Sequence, residues 1–130
     1  AAIMGIHGVN KLLDPQSAAD VFANTILPRP QLLALVTGGA EVAIAIALVF
    51  GLLTRLAGLG VALVAGGTLA FVMWGPWSPF IPGEPGFLGE LELLLAAVGV
   101  LFVTVGAGGW SLDRGFRARR AADRAAREAA

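Results

Sequence analysis

Polar positions are so sparse along this chain that its apolar stretches read as unbroken runs. Residues 31–53, QLLALVTGGAEVAIAIALVFGLL, carry one carboxylate, Glu41. About twenty apolar residues in a helix cross a hydrocarbon core of roughly 30 Å, so this run predicts a transmembrane helix. The run from Leu56 to Met73 holds no charge and is followed by Trp74 and Trp77, where an interfacial aromatic belt would sit; it predicts a second span, over 56–74. A third is expected over 87–108, with Glu90 and Glu92 near its start and Trp110 marking its far interface. Residues 1–13, AAIMGIHGVNKLL, supply about 20 Å of helix, too little to cross. Together with the missing initiator methionine, this suggests the second half of a first transmembrane helix whose start is absent; a cleaved signal peptide is the alternative.

The connections follow from their breakers. Gly51-Leu-Leu-Thr-Arg55 is short enough to make the flanking helices antiparallel neighbours. Residues 75–86 hold prolines that cannot continue a helix and are expected to form an interfacial loop. Asp14-Pro15 suits a helix start and Leu27-Pro28-Arg29-Pro30 a stop, which predicts a short surface helix between them. Residues 114–130 form an alanine-rich helical tail, supported by the i,i+4 pairs Asp123–Arg127 and Arg124–Glu128. The expected architecture is thus all-α: an integral membrane four-helix bundle over 1–113, its first helix incomplete, and a tail.

Composition confirms the solvent. Of 130 residues, 57% are hydrophobic and 14% charged, against about 45–50% and 25% in soluble domains. The formal net charge is zero, which leaves no global basic face for nucleic acid and directs attention to where the charges lie. Arg114, Arg117, Arg119 and Arg120 lead a basic tail, and Arg55 falls on the same side once the spans alternate. By the positive-inside rule that side is cytoplasmic, and these arginines form a basic anchor against anionic lipid. No cysteine and a single histidine rule out thiol relays and histidine zinc triads, so no metal site is expected.

Ionisable groups inside spans are costly and usually face a bundle interior, which singles out His7, Lys11, Glu41, Glu90 and Glu92. His7 and Lys11 are four apart and share a helix face, with Asn10 adjacent. Lys11 is either a snorkelling anchor or the buried partner of a carboxylate such as Glu90 or Glu92. His7 is either a packed histidine or a proton carrier or quinone contact. Glu41, near mid-membrane, is expected to organise a pocket. Glu90 and Glu92 lie about 200° apart around their helix and cannot both face one neighbour. The glycines of Gly38-Gly39-Ala40, Gly58-Leu-Gly60 and Gly66-Gly67 would let helices approach, and Thr37 and Thr68 would return hydrogen bonds to their own helices.

His7-Gly-Val-Asn-Lys11, Gly51-Leu-Leu-Thr-Arg55-Leu-Ala57, Gly86-Phe-Leu-Gly-Glu90-Leu-Glu92-Leu-Leu-Leu95 and Trp110-Ser-Leu-Asp113, in this order, resemble the DoxX family over nearly the whole chain. The resemblance implies a small four-helix protein of the bacterial cytoplasmic membrane. Relatives are tied to redox work, in a thiosulfate:quinone oxidoreductase and in a mycobacterial membrane assembly with a superoxide dismutase and a sulfurtransferase. The motif positions that carry over are His7, Lys11, Glu41, Arg55, Glu90 and Glu92. The leading expectation is an accessory or quinone-adjacent subunit of a membrane redox assembly, with quinone or a lipid as ligand and other membrane subunits and the lipid bilayer as partners. A non-catalytic structural subunit is the alternative; a transporter or proton path would need an ionisable relay in the inner half, which the sequence lacks.

Overall fold

Asp14 and Pro15 divide the first apolar stretch from the short helix after it. The computed structural model describes residues 1–74, 87–109 and 111–129; the expected loop over 75–86, with Trp77 and Glu84, and the interfacial Trp110 lie outside them. Helix α1 (Ala2–Leu13) ends at Asp14, whose carboxylate accepts the Ser17 N–H at 3.0 Å and so caps α2 (Pro15–Ala23), with Pro15 in the first turn. Helix α2 stops at Ala23, short of the expected prolines, and the Thr25 hydroxyl donates to the Phe22 carbonyl at 2.7 Å.

Helix α3 (Pro30–Phe50) closes on Gly51 at φ 60°, with the Leu52 N–H reaching back to the Ala47 carbonyl at 2.8 Å, the αL termination that glycine allows at little cost. Helix α4 (Thr54–Gly67) comes next and continues without a break into a π-helical segment, Thr68–Trp74. These two stretches, Pro30–Phe50 and Thr54–Trp74, are each 21 residues and are long and apolar enough to cross a membrane. The third expected span is shorter than its apolar run. Helix α5 is Glu90–Val105, 16 residues, or about 24 Å. Gly89 at φ 95° precedes it, Gly106 at φ 75° ends it, and the Glu90 carboxylate accepts the Phe87 N–H at 3.0 Å. Trp74 Nε1 donates to the Leu88 carbonyl at 2.8 Å, tying the end of the π segment to the approach of α5.

The helices pack in the order α1, α3, α4, α5, each against the next, with α2 folded onto α3. Two crossings are so close that only glycine fits. A Cβ on Gly8 would lie 2.7 Å from the Gly38 carbonyl oxygen, and one on Gly99 would lie 2.6 Å from the Ala62 nitrogen and 2.7 Å from the Gly58 carbonyl oxygen. Of the glycines expected to pack, Gly38, Gly58 and Gly60 meet neighbours, whereas a Cβ on Gly39, Gly66 or Gly67 would meet nothing within 4 Å among the described residues. Met4, Ile44, Ala45, Ala57 and Val61 fill the space between α1, α3 and α4; Ala19, Phe22 and Ala34 seat α2 on α3.

Helix α6 (Leu112–Glu128) begins before the expected boundary at 114, capped by the Ser111 hydroxyl. Arg124 pairs with Glu128 at 3.0 Å; among the described residues Asp123 and Arg127 form no ion pair. The helix is tied back to the α3–α4 turn by Asp113, whose two carboxylate oxygens accept the Leu53 N–H at 2.7 Å and the Thr54 N–H at 2.8 Å. Leu53 sits at φ 48°, an unfavourable conformation for a leucine, and these bonds hold it there. The Thr54 N–H, above all, holds the Asp113 carboxyl below its ordinary value; partial burial opposes the shift and the Leu53 N–H adds to it. A carboxylate whose folded pKa is depressed contributes stability above its unfolded pKa, near 4, and loses it as pH falls through the folded value. Unfolding monitored between pH 6 and 3 should therefore show an acid-side loss of stability that is smaller in Asp113→Ala. At neutral pH that variant should be about 1 kcal/mol less stable, as for other lost caps.

Candidate functional site

Glu41 stands near the middle of α3, and the helix it belongs to leaves it only 2% exposed. A carboxylate in such a place must be paired or hydrogen-bonded. Gly8 brings α1 against α3 at this level, and the next turn of α1 carries Lys11, whose Nζ meets Glu41 Oε1 at 2.5 Å. The lysine side chain is 21% exposed and the glutamate side chain 3%. Of the two readings of Lys11, anchor or partner of a carboxylate, the structure shows the second, and the carboxylate is Glu41 rather than Glu90 or Glu92. The second oxygen, Oε2, is buried and has no hydrogen-bond partner among the described residues.

This pair lies on the wall of a cavity of about 570 Å³, a size typical of ligand sites. The cavity is lined by residues of α1, α2, α3, the end of α4 with its π segment, and α5. His7 and Asn10 join Lys11 from α1, Glu92 comes from α5, and Thr68 and Met73 come from the π segment. Phe22 and Val21 of α2 close one side. Four of the five residues singled out from sequence therefore meet: His7, Lys11, Glu41 and Glu92 all line it. Glu90 does not; its carboxylate is bonded to the Phe87 N–H at the start of α5, on the other face from Glu92. The 200° separation of the two glutamates explains this division.

Sequence reading did not supply the walls from α2 and the π segment. A π turn has no compositional signature, although its i→i+5 bonding is rare and frequent at functional sites. Thr37 donates to the Leu33 carbonyl at 2.6 Å, as expected of a helical threonine, whereas Thr68 lines the cavity.

The basic residues gather at the other end. Arg55 donates to the Thr104 carbonyl at 3.3 Å near the end of α5, and it lines a groove together with Asp113, Arg117 and Arg120. Arg117 Nε donates to the Asp113 carbonyl at 3.2 Å. Arg55 thus shares a side with the tail arginines, and Arg114, Arg117, Arg119 and Arg120 are exposed on α6. Among the described residues no cluster of histidine, aspartate and glutamate could hold a metal ion.

The family model described as DoxX matches residues 1–74, which span α1 to the end of the π segment and include His7, Lys11, Glu41 and Arg55. No curated protein and no solved structure matches the chain.

Proposed function

The chain belongs to the DoxX family, and from that premise we propose that it is a quinone-adjacent accessory subunit of a bacterial membrane redox assembly. Family membership and two helices long enough to cross point to a membrane protein. In this reading the protein sits in the cytoplasmic membrane with α6 and its arginines on the cytoplasmic side, where anionic lipid would hold them.

One observation carries the reading: a partly buried Lys11–Glu41 pair, with one glutamate oxygen unpartnered among the described residues, on the wall of an otherwise largely apolar cavity. Buried ionisable groups within an apolar bundle mark ligand or ion pathways by default. A quinone has the matching form, a flat apolar ring with polar atoms at its edge and an apolar tail. When bound it would supply two-electron redox chemistry. Lys11 and Glu41 would orient the ring, His7, Asn10 and Glu92 would face its polar edge, and Phe22 and Met73 would exclude water from it.

Protein extracted from bacterial membranes in mild detergent should carry quinone, recovered by organic extraction. Thr68→Trp, which fills the cavity, should reduce the recovered quinone several-fold while leaving the helical circular dichroism unchanged. Wild-type protein that carries no quinone and co-purifies with membrane partners at fixed stoichiometry would instead establish a structural subunit.

A further inference from the structure

We propose that the cavity selects the reduced, hydroquinone form of such a ligand, by accepting a hydroxyl hydrogen bond at Glu41 Oε2; the proposal rests on the quinone reading and specifies the state that binds.

One acceptor on the cavity wall lacks a donor among the described residues. Glu41 Oε1 is engaged by Lys11 Nζ at 2.5 Å, and Oε2 is buried without a donor among the described residues. Glu92, half-buried on α5, brings a second carboxylate to the same cavity. Ionised carboxylates only accept hydrogen bonds. Asp14 on the rim has one oxygen committed to the Ser17 N–H. Lys11 gives one of its three N–H donors to Glu41, and its others can serve the oxygens of either redox form, as can the hydroxyls of Ser17 and Thr68. His7 and the Asn10 amide can each donate and accept, so they favour neither redox state. What remains fixed is one unmet requirement, the acceptor Glu41 Oε2, in surroundings where an unmatched acceptor is expensive.

A quinone offers only carbonyl oxygens to this wall. Placed against Glu41 Oε2, it sets lone pair against lone pair and leaves the carboxylate oxygen unpaired. A hydroquinone presents an O–H at the same ring position. Its hydrogen bond to an ionised oxygen is of the stronger, charge-assisted kind. The two forms differ little in shape, so the preference comes from this one bond. A buried group left unpaired in one complex and paired in the other should separate the affinities by about tenfold or more.

The test is an anaerobic titration of the full-length protein in detergent micelles with three probes: decylubiquinol, decylubiquinone, and the dimethyl ether of decylubiquinol, which keeps the reduced ring but cannot donate. The hydroquinone should bind about tenfold more tightly than either of the others. In Glu41→Gln, where an amide replaces the free acceptor, that preference should fall towards unity. Equal binding of the three by wild-type protein, or tighter binding of decylubiquinone, would overturn the selection while leaving a quinone site in place. Binding of none of the three would remove the quinone reading itself. The wild-type comparison needs no variant, so it stands even if Glu41→Gln folds poorly.

Discussion

Replacing Lys11 by methionine should destabilise the protein by about 3 kcal/mol, because it leaves Glu41 as a buried carboxylate without its counter-charge. The glutamate side chain is only 3% exposed, so bulk solvent offers it little in place of the lysine. Methionine is close to lysine in length and keeps the packing against Gly38, which confines the change to the charge. The lysine end is 21% exposed, so the effect belongs near the lower end of the range for broken buried pairs. The double variant Lys11→Met/Glu41→Leu should recover most of the loss, since it removes both charges from the apolar interior. Thermal unfolding of the three variants in one detergent, followed by circular dichroism, measures this. A single variant as stable as wild type, or a double variant no better than the single, would mean that the two groups are not coupled as described.

The second large effect is expected at Gly99. Its missing side chain leaves room for backbone alone: a Cβ there would stand 2.6 Å from the Ala62 nitrogen and 2.7 Å from the Gly58 carbonyl oxygen. Neither atom belongs to a side chain that could swing away, so α4 and α5 would have to separate. Gly99→Leu should cost about 3 kcal/mol or more, at or above the upper end for overpacked cores. Gly66→Ala is the natural comparison, since among the described residues nothing lies within 4 Å of the Cβ it would add. Alanine there should be neutral or stabilising by up to about 1 kcal/mol, from helix propensity. Equal unfolding temperatures for Gly99→Leu and Gly66→Ala would show that α4 and α5 are not in contact at this level.

These two sites also mark where the sequence was readable. The apolar runs located α3 and α4 to within a few residues, because a stretch of twenty apolar residues with a Gly51 stop has few other solutions. Periodicity placed His7 and Lys11 on one face, and the structure keeps them there. It could not name the partner of Lys11, because helix periodicity orders residues around one axis and is silent about which helix lies opposite. That choice was made by Gly8 and Gly38, which allow α1 to approach α3 closely enough for Lys11 to meet Glu41. Gly8 and Gly99 were not among the glycines expected to bring helices together, since a single glycine gains that meaning only from the backbone it faces. Helix α5 fell short of its apolar run because Gly89 and Gly106 adopt positive φ at its ends, and local backbone conformation there outweighed hydropathy. Glu90, whose position suggested a pocket residue, was claimed by the backbone three residues before it.

Asp113 has an electrical role beyond its hydrogen bonds. Its carboxylate receives the first N–H groups of α4 and also lies in the first turn of α6. Each of those helix beginnings carries a partial positive charge, the amino-terminal pole of its macrodipole. One side chain thus offsets two poles belonging to helices that point away from the same corner. The first turn of the tail helix consequently cannot be lifted from the α3–α4 turn without uncovering the positive end of α4, and the orientation of the tail is set by the electrostatics of a helix to which it is joined only at a distance along the chain.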